Sequence, residues 1–120
     1  MSDGVPGIGV NELHDALVDG AILFDVREPL EFAEVRASQA VLVPLQTVPD
    51  QLARFPTDRP VYVICRSGGR SHKACEWLRL NGVDAVNVLG GTLAWIDAGL
   101  PVADGAPVAD GPGVANDPTL

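Results

Sequence analysis

The sequence predicts a compact three-layer α/β domain, a central parallel sheet of four or five strands with helices over both faces. Three observations carry this expectation. Apolar runs of strand length recur at residues 21–26, 40–43, 60–64 and 86–89. Segments of helical periodicity separate them, which favours parallel pairing through right-handed crossovers. The chain has 120 residues, enough for one domain to bury about two-thirds of its unfolded surface without metals or disulfides.

Each element has a local reason. Residues 1–9 are glycine-rich, with Ile8 and Val10 placed to add a short strand. Asn11 reads as a helix N-cap, and Leu13, Ala16 and Leu17 recur at helical spacing until Gly20. His14 lies on this helix without a second histidine nearby, so it reads as an ordinary surface residue and not as a metal ligand. Residues 21–26 are almost continuously apolar, the pattern of a strand buried on both faces. Asp25 and Arg27 fall at its carboxyl end, as groups supporting a site or as a structural ion pair. Pro29 suits the first position of a short helix, with Leu30 and Phe32 as its apolar contacts.

Residues 40–43 form a strand ended by Pro44, and Val48, Leu52 and Phe55 mark a helix over 48–55 with Pro49 and Asp50 in its first turn. Pro60 opens the strand that runs to Ile64. Ser71 is the expected N-cap of the next helix, which reaches Asn81 with Gly82 as its stop. Ala74, Trp77 and Leu78 mark its inner side, and Cys75 packs there as a small apolar residue. After the strand at 86–89, Gly90-Gly91 turn the chain into a helix over 93–98 carrying Trp95. Beyond Pro101 come small residues, Asp and Pro in a near-repeat with no core pattern. The folded domain is therefore assigned to residues 1–102 and a flexible tail to 103–120.

The chemistry concentrates at Cys65-Arg66-Ser67-Gly68-Gly69-Arg70-Ser71. A strand that stops at a cysteine and turns through glycines into a helix places the sulfur outside the carboxyl end of the sheet, where open α/β folds bind ligands. Gly68 and Gly69 permit positive φ and let successive amides point inward as a nest for negative charge. The following helix adds its N-terminal dipole, and Arg66 and Arg70 add permanent charge, with His72 and Lys73 behind them. Such surroundings stabilise the thiolate below the free thiol pKa of about 8.5 and make it a nucleophile at neutral pH. A core cysteine needs neither the loop nor the arginines.

Charge narrows the function further. Sixteen acidic and 8 basic side chains give a formal net charge of −8, a poor surface for nucleic acid. The local cluster of cations must then serve a small anion. Two cysteines are too few for a disulfide scaffold, and a reactive thiol suits a reducing compartment. No basic stretch precedes an apolar run, and no apolar run approaches the roughly 18 residues of a membrane span, so a cytoplasmic protein is expected.

Three ordered motifs resemble the single-domain rhodaneses, a family of sulfurtransferases. They are Phe24-Asp25-Val26-Arg27-Glu28 with Glu31-Phe32, the loop from Cys65 to Ser71, and Leu89-Gly90-Gly91 followed by Ala94-Trp95 and Ala98-Gly99-Leu100-Pro101-Val102. The likeness spans roughly residues 8–102. It implies that Cys65 is the nucleophile and carries a persulfide, held by the loop backbone. The implied substrates are thiosulfate, a small anionic sulfur donor, and a thiol, cyanide or a sulfur-accepting protein as acceptor, with no metal or organic cofactor. Asp25, Arg27, Arg36 and His72 are candidates for the surrounding shell. The family's Gly-His-Ile-Pro-Gly-Ala stretch is replaced by Val35-Arg36-Ala37-Ser38-Gln39-Ala40, matching only at Ala40. A changed path is expected there, with Arg36 bringing a cation toward the pocket rim.

Two rival readings share the cysteine. Cysteine-dependent phosphatases and arsenate reductases cradle an oxyanion in a loop with five residues between Cys and Arg, whereas Cys65 and Arg70 enclose four. A persulfide carrier or sulfide-sensing module would use the same loop but serve one protein partner.

Overall fold

A computed structural model describes residues 4–106. Strand β1 (Gly7–Ile8) leads into helix α1 (Val10–Val18), and β2 (Ile22–Asp25) into α2 (Pro29–Glu34). Strands β3 (Arg36–Ala37) and β4 (Val41–Leu42) come next, followed by two short 3-10 segments, Leu45–Thr47 and Pro49–Arg54. Then come β5 (Val61–Ile64), α3 (Gly69–Leu80), β6 (Ala85–Val88), α4 (Gly91–Asp97) and β7 (Val102–Ala103).

Five strands form one sheet in the order β1-β6-β5-β2-β4, with every pairing parallel. Alternation along the strands divides the core, because successive side chains leave opposite faces. Phe24, Val61 and Val63 join Val48, Phe55, Ala74, Cys75 and Leu78 on the face covered by α3 and the 3-10 segments. Leu23, Ile64 and Val88 meet Leu13, Leu17 and Trp95 on the face covered by α1 and α4. The register pairs Asp25 with Ile64, so the loops after β2 and β5 leave from one edge of the sheet. Cys65 is the first residue beyond that edge.

Several local expectations change. Gly9 caps α1, and its carbonyl accepts the Leu13 amide at 2.9 Å, so Val10 opens the helix instead of extending β1 and Asn11 lies inside the first turn. His14 stacks edge-on against Trp95 with ring centroids 5.9 Å apart. Leu30 is 85% exposed, and Phe32 alone of the expected pair packs inward. Residues 48–55 are not an α-helix. Gln51 sits outside the helical region at φ −111°, ψ 19°, and the backbone closes three-residue turns instead, with Val48 N–H to Leu45 O, Gln51 N–H to Val48 O and Phe55 N–H to Leu52 O. Val48 and Phe55 still reach the core through these turns.

The chain after Pro101 remains part of the domain farther than its composition suggests. Strand β7 pairs antiparallel with β3, Arg36 opposite Ala103 and Ala37 opposite Val102. Arg36 Nη1 donates to Gly105 O at 2.9 Å and to Phe32 O at 3.0 Å, and its guanidinium lies 4.4 Å from the centre of the Phe32 ring. Arg36 is therefore engaged in clamping the C-terminal strap. A boundary after residue 102 would cut through β7. The remainder of the expected tail, residues 107–120, lies outside the described residues.

Candidate active site

The loop between β5 and α3 closes around one sulfur atom. Gly68 has φ +117° and caps α3 in the left-handed region, a conformation that L side chains adopt only at a cost. Gly69 is the first helical residue and carries no positive φ. This turn brings the Gly68 amide to 3.1 Å from Cys65 Sγ, and the first turn of α3 brings Ser71 Oγ to 3.2 Å from it. Ser71 is therefore the third residue of the helix, not its cap, and its hydroxyl faces the sulfur.

The back of the loop is held from α4. Gly90 and Gly91 have φ +78° and +61°, which lets the start of α4 approach the loop backbone. The amide and hydroxyl of Thr92 each donate to Cys65 O at 2.9 Å, and the Leu93 amide donates to Arg66 O at 3.1 Å. With these carbonyls turned toward α4, the amides of the loop are left facing the sulfur.

Burial is the largest single influence on Cys65 and pushes its thiol up. The Ser71 hydroxyl and the amides of Ser71, Gly68 and Ser67 together outweigh it and hold the thiol below its ordinary range. Cys75, buried in the core on α3, has no such donors, and burial pushes it up to about 12. Both cysteines are free thiols. Only Cys65 has the surroundings of a nucleophile.

The two arginines differ in situation. Arg70 forms a bidentate pair with Glu31 on α2, at 2.7 and 2.9 Å. Its hydrogen bonds lower the Glu31 carboxyl to about 2. That contribution to stability is full above the ordinary carboxylate pKa and is lost as pH falls through about 2. Arg70 still feels the charge on Cys65, but its fork is held by Glu31. Arg66 is exposed, with no ion pair among the described residues. His72 Nδ1 lies 3.9 Å from Glu76 Oε1, one turn farther along α3.

Asp25 and Arg27 form a buried ion pair. Arg27 Nε and Nη2 bind the Asp25 carboxylate at 2.8–3.0 Å, and Nη2 also donates to Val35 O at 2.8 Å. The pair fixes the end of β2 to the end of α2 and so supports the helix that carries Glu31. Two contributors had only weak sequence signals. Glu31 stood inside a motif without a role, and Asn87 is a polar residue among the apolar residues of β6. Asn87 Oδ1 lies 2.6 Å from Ser71 Oγ, and its Nδ2 donates to Gly68 O at 3.2 Å. Among the described residues no group of three or more His, Cys, Asp or Glu is placed to hold a metal ion.

The sheet is parallel, with a buried cysteine at its carboxyl edge and the Gly68 amide and Ser71 hydroxyl of a short glycine loop turned to its sulfur. The family model of the rhodanese-like domain matches residues 9–98, and the chain belongs to that family. It is 38% identical over 85 residues to a protein of Allochromatium vinosum named a sulfurtransferase, covering 70% of this chain and 79% of that one. Over 107 residues it is 36% identical to the chloroplastic thiosulfate sulfurtransferase 16 of Arabidopsis thaliana, covering 78% and 89%. The crystal structure of a rhodanese-like domain protein from Staphylococcus aureus superposes with a TM-score of 0.72 at 39% identity, over 76% of this chain and 91% of that one. No helix among the described residues is long and apolar enough to cross a membrane.

Proposed function

We propose that this chain is a thiosulfate sulfurtransferase that carries sulfur on Cys65. The observation that carries the reading is the convergence of the Gly68 amide and the Ser71 hydroxyl on one sulfur, 3.1 and 3.2 Å away, in a loop with four residues between Cys65 and Arg70. The relatives named as sulfurtransferases support it. The Cys65 thiolate attacks the outer sulfur of thiosulfate. An Sγ–S bond forms as the S–S bond of thiosulfate breaks, and its electron pair leaves with sulfite. The outer sulfur keeps the negative charge as a persulfide, held by the amides of Ser67, Gly68 and the start of α3, including Gly69. A thiolate or cyanide then attacks that sulfur and returns Cys65 to the thiolate.

The exposed Arg66 is the cation available to meet the incoming dianion, while Arg70 holds the loop to α2 through Glu31. The small ring of amides suits a sulfur perched on cysteine better than a tetrahedral phosphoryl group. Steady-state release of sulfite from thiosulfate in the presence of cyanide, at neutral pH, is the expected activity, and it disappears in Cys65→Ser. Hydrolysis of an aryl phosphate by the same preparation, Cys65-dependent and faster than thiosulfate consumption, would overturn the reading in favour of phosphate chemistry.

A further inference from the structure

One proton in the site has more acceptors within reach than it can serve. Ser71 Oγ lies 2.6 Å from Asn87 Oδ1, 3.2 Å from Cys65 Sγ and 3.2 Å from Gly68 O, yet a serine hydroxyl carries a single hydrogen. Gly68 O already accepts the His72 amide at 3.1 Å and Asn87 Nδ2 at 3.2 Å, which fills its two lone pairs. The same contact fixes the Asn87 amide, since reversing it would set two acceptors against each other at Gly68. The contest for the Ser71 proton is therefore between Asn87 and the sulfur. Asn87 is 5% exposed, and its neighbours on β6 are Ala85, Val86 and Val88.

We propose that Asn87 is a positioning residue that acts through Ser71, holding the serine proton while Sγ is uncharged and yielding it when the thiolate forms. In the resting thiol, S–H donates to Ser71 Oγ and Ser71 donates to Asn87 Oδ1. When the thiol proton leaves to solvent, Ser71 keeps its own hydrogen and turns it to the thiolate. Asn87 Oδ1 then faces a bare oxygen, a loss that opposes ionisation. Once Sγ bears a second sulfur, the charge moves to the outer atom, Sγ becomes a neutral bridging sulfur, and the hydroxyl returns to Asn87. Asn87 thus favours the thiol and the persulfide over the free thiolate.

The other titratable groups about the sulfur do not offer this switch. The loop carries the exposed Arg66, helix α3 presents Arg70, the high-pKa Cys75 and, 3.9 Å from Glu76, His72, the end of β2 presents the closed Asp25–Arg27 pair, and α2 presents Glu31, bound to Arg70. Strand β6 and α4 present the uncharged Asn87 and Thr92. The inference rests on the proposed function only in taking Cys65 as the reacting sulfur, and its test reads the thiol without any sulfur donor.

The test is the pH dependence of Cys65 alkylation by iodoacetamide, located by peptide mass mapping. Asn87→Leu removes the competing acceptor, so the midpoint moves to lower pH and alkylation below the midpoint rises about fivefold, the factor carried by a typical net hydrogen bond. In a Ser71→Ala background the same substitution leaves the midpoint where it was. Asn87→Ala removes the same acceptor with a smaller side chain, so its midpoint also moves to lower pH, and again only while Ser71 is present, whereas general damage to the loop would move the midpoint with or without Ser71. No shift in Asn87→Leu, or an equal shift with and without Ser71, overturns the assignment. Should Asn87→Leu not fold, Asn87→Ala with and without Ser71→Ala decides, and an unmoved midpoint, or one moved equally in both backgrounds, overturns it. Failure of thiosulfate to load Cys65 while these shifts are present would contradict the proposed function and leave the role of Asn87 standing.

Discussion

Arg27→Met lowers the unfolding free energy by about 3–5 kcal/mol, the cost of leaving one member of a buried ion pair without its partner. Asp25 is 0% exposed, and Arg27 supplies both Nε and Nη2 to its carboxylate. Met keeps the aliphatic stem but removes the fork, and with it the bonds to Glu31 O and Val35 O that hold the end of α2. The remaining donor to Asp25 is the residue 27 backbone amide at 3.0 Å, which cannot satisfy a carboxylate with two oxygens. Urea titration at neutral pH measures the loss. Adding Asp25→Asn to Arg27→Met removes the orphaned charge and recovers part of it. A loss of under about 1 kcal/mol, the range of an exposed pair, would mean that water reaches Asp25 when the fork is gone.

Gly91→Ala disrupts the site from behind. A Cβ at this position would lie 2.5 Å from Arg66 O and 2.6 Å from both Arg66 C and Cys65 O. All three are backbone atoms, so no side chain can rotate out of the way. The residue also has φ +61°, which adds roughly 1–2 kcal/mol for an L-residue. The loop must move, stretching the bonds from Thr92 and Leu93 that turn its carbonyls away from the sulfur. Sulfur loading falls at least about tenfold, the order expected when a donor aimed at developing charge is misplaced, and Tm falls with it. Gly69→Ala provides the contrast in stability: its Cβ would meet nothing within 4 Å and its φ is ordinary, so Tm is maintained or raised. Equal Tm values for the two variants would contradict the close approach at Gly91.

The parts of the fold legible in the sequence are those with a local cause. Strands β2 and β5 are continuous apolar runs, and the cysteine loop announces itself by glycines and arginines crowded into seven residues. The misread parts depend on partners far along the chain. Strand β7 has two residues, and its mate β3 is Arg36-Ala37, so neither carries an alternating pattern. Only the pairing, with Arg36 reaching across to Gly105 O, makes either a strand. The caps likewise depend on more than the capping side chain. Asn11 and Ser71 have good capping side chains, but Gly9 and Gly68 hold the cap positions, and Ser71 is committed to the sulfur and Asn87. Arg70 was readable as a cation near the loop. Its capture by Glu31, 39 positions away in sequence, was not.

The most direct test of the central claim is the mass of the protein after exposure to thiosulfate alone. One added sulfur, about 32 Da, is expected from the first half of a double-displacement cycle. Peptide mapping places it on Cys65, and a thiol or cyanide removes it. Cys75, buried in the core with its thiol pushed up to about 12, stays unmodified. An adduct that persists in Cys65→Ser, or that appears on Cys75, would contradict the account.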